Sequence, residues 1–173
     1  MNTKPVVLVV EDDPVQLKIA AAVLDATQLY EVLSAPDATI AKELVNRHRP
    51  DIIISDNYME GATGIEFCQE IKADEQLRKT MFMLLTAEKD VVHKIHALDL
   101  GADDYVNKPY NPDEFLSRVR VLLRIKTLQD SLEKESAELR HTIEALNQNF
   151  EGMINLLTTL ITLRIPDAAG RGA

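Results

Sequence analysis

The chain has 173 residues, 46% hydrophobic and 27% charged, which suits one domain plus an appendage and excludes an intrinsically disordered polypeptide. Nineteen basic against twenty-eight acidic residues leave a net charge of −9, a surface that repels nucleic-acid backbones and anionic membranes. The single cysteine, Cys68, excludes an internal disulfide framework and a cysteine-based zinc cage.

No apolar run reaches the ~20 residues needed to span a bilayer. The stretch Val6–Val10 stops at three acidic residues without a cleavage-site pattern, so it does not read as a signal peptide. The expectation is a soluble, cytoplasmic protein with no membrane partner.

Two patterns alternate over residues 1–124. Short β-branched runs at Val6–Val10, Tyr30–Leu33, Ile52–Ser55, Met81–Leu85 and, more weakly, Asp104–Val106 predict five strands. Helical spacing follows each: Ile19, Val23 and Leu24; then Ile40, Leu44 and Val45; then Ile65, Phe67, Cys68 and Ile71; then Val92, Ile95 and Leu98. The last helix opens at Pro112 and carries Phe115, Leu116, Val119, Leu122 and Leu123. Continuous rather than alternating apolar strands predict burial on both faces, as in a parallel sheet covered by helices on each side. The fold class is therefore α/β, a doubly wound five-stranded parallel sheet with its ligand site at the strands' C-terminal ends.

Beyond residue 124 the strand signal vanishes. A seven-residue spacing places Ile125, Leu132, Leu139, Leu146, Met153 and Leu160 in one column. The column three residues on is Leu128, Glu135, Thr142, Asn149, Leu156 and Leu163, apolar only at its ends; the row Ile143, Phe150 and Leu157 fills part of the gap. A helix from about 112 to about 164 would be ~75–80 Å long at ~1.5 Å per residue, and its outer half needs a partner. Residues 125–165 are expected to form a coiled-coil helix continuing from the last helix of residues 1–124, and 166–173 a flexible tail.

Four strand ends deliver polar residues to one edge of the sheet. Strand one runs into Glu11-Asp12-Asp13, strand three into Asp56, strand four into Thr86, and strand five leads to Lys108-Pro109. Crowded carboxylates repel one another, and a hard divalent cation such as Mg²⁺ is the natural remedy. Asp56 then sits at the centre with an oxygen able to act as a nucleophile, while Thr86 and Lys108 engage the oxygens of a phosphoryl group attached to it. Taken singly these residues are unremarkable: Asp13 reads first as a helix N-cap, Lys-Pro as a turn and Thr86 as a cap. Their joint order is what carries information.

That order, with Val-Val-Glu-Asp-Asp-Pro at 9–14, Ile-Ile-Ser-Asp-Asn-Tyr-Met at 53–59, Gly64, Leu-Leu-Thr-Ala at 84–87 and Gly-Ala-Asp-Asp-Tyr-Val-Asn-Lys-Pro-Tyr at 101–110, resembles the receiver domain of bacterial two-component response regulators over about residues 4–124. The resemblance implies a flavodoxin-like fold with Asp56 as phosphoacceptor. It also implies that Glu11, Asp12, Asp56 and the backbone carbonyl of Tyr58 hold Mg²⁺, with one ligand acting through water. Thr86 is implied as switch hydroxyl, Tyr105 as switch aromatic and Lys108 as phosphate-binding cation, with a cis Lys108–Pro109 bond. Tyr58 and Glu88 fall where side chains control access of hydrolytic water. The family often has Met-Pro after the phosphoacceptor; here Met59 is followed by Glu60, which removes no ligand.

The implied partners are a sensor histidine kinase or phosphotransfer protein and a second copy bound through the C-terminal helix. No DNA-binding segment follows, and between His141 and Leu163 the only formal charges are Glu144 and Glu151. The chain is not expected to be a turnover enzyme. A haloacid-dehalogenase-like phosphatase would need an acid/base Asp two residues after its nucleophile, where Tyr58 stands; an unphosphorylated dimeric adaptor would not need the full acidic, Thr and Lys set. Leu160 to Gly170 loosely resembles the opening of HD-type phosphohydrolase domains, and is read either as the start of an absent output domain or as a naturally short tail. His93 and His96 read as surface histidines, Cys68 as core, and Gly61–Gly64 lacks the spacing for a dinucleotide.

Overall fold

A run of five β-branched or branched aliphatic residues has no polar face to offer water, and Val6–Val10 duly forms the strand β1 beneath two apolar layers. The structure, a computed structural model, describes residues 4–59, 61–87 and 99–164. In chain order the elements are β1, α1 (Pro14–Asp25), β2 (Glu31–Ala35), α2 (Ala38–His48), β3 (Ile52–Asp56), β4 (Tyr58–Met59), β5 (Ala62–Thr63), α3 (Gly64–Ala73), β6 (Met81–Thr86), β7 (Asp104–Asn107) and α4 (Pro112–Arg164). The expected helix at Val92, Ile95 and Leu98, with Glu88, His93 and His96, lies outside the described residues.

Five strands form a parallel sheet in the order β2-β1-β3-β6-β7, and β4 and β5 a small antiparallel ribbon. Alternation along the strands sorts side chains into two layers. Leu8, Ile53, Phe82 and Leu84 pack with Val45 of α2 and Phe67 and Ile71 of α3; Val7, Val9, Ile52 and Ile54 pack with Leu24 of α1 and Phe115 and Val119 of α4. Phe67 meets Phe82 edge to face, with centroids 5.7 Å apart. Each such side chain, fully buried, stabilises by about 1.5–3 kcal/mol before entropy is counted.

The strands differ from the sequence expectation mainly at their ends. β3, β6 and β7 run on to Asp56, Thr86 and Asn107, because the ladder still finds partners there: Asp56 lies opposite Leu85 and Thr86 opposite Asn107. Tyr30 precedes β2 rather than opening it, yet is buried in the second layer. Cys68 is buried, as expected.

Asp103 fastens the end of α3 to the sheet. Its Oδ2 accepts from Lys72 Nζ and from the Phe82 backbone N–H, each at 2.7 Å, while its own N–H donates to the Phe82 carbonyl. Asp103→Ala should cost about 2 kcal/mol in urea unfolding, because it orphans the Phe82 N–H and takes the carboxylate from the Lys72 ammonium, which keeps its hydrogen bonds to the Thr80 and Arg78 carbonyls; Asp103→Asn should recover most of that. Equal losses in the two variants would show that the hydrogen bonds are not the cause.

The chain divides into two compact units, Met1–Leu128 and Gln129–Ala173, and α4 contributes to both. From 129 to 162 every side chain is exposed, and the hydroxyls of Thr142, Thr158, Thr159 and Thr162 donate to the carbonyls four residues back. Among the described residues no helix is long and apolar enough to cross a membrane.

Candidate functional site

Each polar residue at the sheet edge sits two positions beyond a core residue, so strand alternation aims it. Val9, Ile54 and Val106 all belong to the layer shared with α1 and α4, and Glu11, Asp56 and Lys108 are their next neighbours on that face. Leu84 belongs to the other layer; Thr86 follows it on that face, and Tyr105, opposite Leu84 in the β6–β7 register, packs there too.

The three residues of the first face converge. Lys108 Nζ lies 3.0 Å from Asp56 Oδ2 and 2.5 Å from Glu11 Oε2. Asp56 Oδ1 accepts from the Asn57 backbone N–H at 2.8 Å. The Lys108 N–H donates to the Thr86 carbonyl at 2.7 Å, and the Lys108–Pro109 bond is cis, as the resemblance implies. Glu11 is 2% exposed, anchored by its N–H to the Ala35 carbonyl, whereas Asp12 is exposed. Ligand oxygens of Glu11, Asp12 and Asp56 all lie within 4.8 Å of one another. Asp13 stands apart as the N-cap of α1, its Oδ1 accepting from the Val15 and Gln16 N–H groups.

Burial holds the Glu11 carboxyl above its ordinary range; Asp56 pushes the same way, and the hydrogen bond from Lys108 opposes both. For Lys108 burial favours the neutral amine, but its hydrogen bonds to Glu11 and Asp56 outweigh it and raise the ammonium's pKa. Tyr110, stacked on Phe115 at 4.9 Å, has its phenol raised by burial, with Lys108 opposing and Glu11 and Asp56 reinforcing. Among the described residues the carboxylates of Glu11, Asp12 and Asp56 gather as an oxygen-only donor set, with the Lys108 ammonium on two of them, which suits a hard cation such as Mg²⁺.

Tyr58 opens the β4–β5 ribbon and is 57% exposed. Thr86 is buried at the end of β6, and Tyr105 is half-buried. Two residues escape a reading by motif chemistry. Asn57 is buried beside Asp56 and continues the ladder to the Leu85 carbonyl, and its Oδ1 has no hydrogen-bond partner among the described residues. Gly64 lies so close under the site that a Cβ there would stand 2.2 Å from the Asp56 carbonyl oxygen. No spacing rule flags either residue; Asn57 and Gly64 are visible in the sequence only as members of the quoted motifs.

Residues 7–120 match the family model described as the response regulator receiver domain. The chain belongs to that family. Receiver domains are signal-transduction modules rather than turnover enzymes, and an acidic cluster of this composition is typical of those that bind Mg²⁺. This receiver is similar to the hybrid signal transduction histidine kinase D of Dictyostelium discoideum, 33% identical over 158 residues that make up 91% of this chain and 10% of that protein. It is also similar to the phosphate regulon transcriptional regulatory protein PhoB of Pseudomonas aeruginosa, 34% identical across 72% of this chain and 53% of that one. The chain thus spans a small part of the first relative and about half of the second. Among solved structures, the chemotaxis response regulator CheY4 of Vibrio cholerae superposes with a TM-score of 0.65 at 30% identity, covering 69% of this chain and 99% of that chain. The BeF3-activated receiver domain of Klebsiella pneumoniae RstA gives 0.63 at 30% identity, covering 69% and 98%.

Proposed function

We propose that this chain is a two-component response regulator that takes a phosphoryl group from a phosphohistidine donor onto Asp56. The observation that carries the reading is the Lys108 ammonium 3.0 Å from Asp56 Oδ2, with the Glu11 and Asp12 carboxylates alongside. Glu11, Asp12, Asp56 and the Tyr58 carbonyl would hold Mg²⁺, which supplies charge neutralisation for the oxygens of the transferring group.

The chain's own part is positioning and electrostatics. The Asn57 N–H holds Oδ1, so the carboxylate presents a fixed orientation in which Oδ2 faces Lys108. The donor's N–P bond breaks as the Asp56 O–P bond forms, and Lys108 offsets charge on the phosphoryl oxygens. The product carries up to about two negative charges. Thr86 moves toward them, and Tyr105, on the same face of the sheet, enters the space released. The receiver occupies residues 1–124, and residues 125–165 form a signalling helix through which two copies pair, so phosphorylation shifts that pairing by differential contacts. The similarity to proteins named as histidine kinases supports a sensor kinase or phosphotransfer protein as the donor.

Incubation with a small phosphodonor and Mg²⁺ should add one hydroxylamine-labile phosphoryl group, seen by mass spectrometry, and Asp56→Asn should add none. Undiminished labelling of the Asn variant would overturn the assignment.

A further inference from the structure

The second unit of the chain presents eleven large apolar side chains beyond Leu128, each at least 47% exposed, far more contiguous apolar surface than a monomer normally leaves in water. They are not scattered. Leu139, Ile143, Leu146, Phe150, Met153, Leu157 and Leu160 follow one another at spacings of four and three, the alternation that defines the a and d positions of a coiled coil. A strict seven-residue repeat needs a partner of the same repeat, because any other period drifts off the seam within a few turns.

The flanking positions identify that partner. In this register Glu135 occupies a g position and Arg140 the following e position. In a parallel, in-register pair, each g residue faces the e residue five places further along the other helix. Glu135 then meets Arg140, Thr142 meets Asn147 and Leu156 meets Ile161, so three of the four flanking pairs match in character, and Asn149 against Ile154 is the one unlike pair. Among the described residues neither Glu135 nor Arg140 forms an ion pair within its own chain. An antiparallel partner on the same seam would instead set Arg140 near Ile161 and Thr142 near Leu156, burying apolar flanks against polar ones.

We propose that the helix from Gln129 onward is self-complementary in one arrangement, a parallel in-register homodimer locked by two symmetric Glu135–Arg140 bridges between copies. This rests on the reading that the helix pairs with a second copy, and adds which way round and by which residues.

The test uses the full chain. Ser136 extends the seam at an a position, so Ser136→Cys changes little but should give an intermolecular disulfide under mild oxidation; antiparallel packing would hold the two sulfurs about 40 Å apart at ~1.5 Å per residue. The native Cys68 does not compete, since it is buried and its thiol is pushed up to about 12 by burial. In light scattering over a dilution series, Glu135→Arg should weaken the dimer about tenfold, and adding Arg140→Glu should restore it, because the swap rebuilds the bridges only when helices run parallel. A dimer that neither forms the disulfide nor recovers in the double variant would overturn the parallel arrangement and leave self-pairing standing. A parent chain monomeric at every concentration would overturn both.

Discussion

Lys108→Met is expected to accept phosphoryl onto Asp56 about a hundredfold more slowly than the parent chain at saturating Mg²⁺, the scale of losing one preorganised charge at a reacting oxygen. Lys108 touches both Asp56 and Glu11, so its loss takes the cation from two carboxylates at once. Lys108→Arg should not rescue the rate, because a planar fork cannot occupy the position of a point ammonium between two carboxylates. Lys108→Met should also destabilise the metal-free protein by about 3 kcal/mol, since it leaves the buried Glu11 carboxylate facing Asp56 with no ammonium between them.

The pH dependence of that loss has a definite sign. The ammonium's pKa is raised in the folded state, so its stabilisation is complete below the ordinary lysine value of about 10.4 and is lost as pH climbs through the folded value. Glu11, raised by burial, loses the opposing pull of Lys108 in the variant and is raised further. Its protonated form favours the fold, so the deficit should be smallest near or below the ordinary carboxyl range of about 4.3 and should grow as pH rises. Urea titrations of parent and variant at pH 5 and pH 8 read this directly. A variant that phosphorylates at the parental rate, or a deficit that shrinks toward pH 8, would remove Lys108 from the role given to it.

Gly64→Ala should be among the most damaging single substitutions in the chain, costing about 3 kcal/mol or more. The added methyl would lie 2.2 Å from the Asp56 carbonyl oxygen, 2.8 Å from Leu84 Cδ2 and 3.0 Å from Asn57 Cα, and two of those three neighbours are backbone. The backbone that must yield is the one that presents Asp56, the proposed phosphoacceptor, so labelling of Asp56 should fall together with the urea midpoint. Two other glycines serve as controls. Gly61 has a positive φ of 87° with open space around it, so Gly61→Ala should cost only about 1 kcal/mol of backbone strain. Gly152, inside α4 with nothing near it, should gain up to about 1 kcal/mol of helix propensity as Ala. A Gly64→Ala protein as stable as the Gly61 variant would show that the close approach under Asp56 is not needed.

Elements with a strong period were legible from residue pattern. The runs at Val6, Ile52 and Met81 are strands that start where expected, the Asp13 cap lies on α1, and the helix opening at Pro112 runs on to Arg164. Even the weak run at Asp104 is a strand, because its Val106 fills the second layer. The β4–β5 ribbon was not legible: two-residue strands carry no periodicity, and the pairing of Tyr58 with Thr63 depends on a turn between them. Tyr30 misled because a β-branched or aromatic residue before a strand looks like part of it.

The residues on their own determined the type and order of the elements and which polar groups would gather at one edge, since periodicity and strand alternation are properties of local backbone geometry. They could not determine that Lys108 reaches Glu11, a residue 97 positions away, nor that Asp103 anchors Lys72, nor that Gly64 must lack a side chain beneath Asp56. Those facts depend on the registers in which separate strands come to lie side by side. A parallel ladder sets such distances only once every strand is in place.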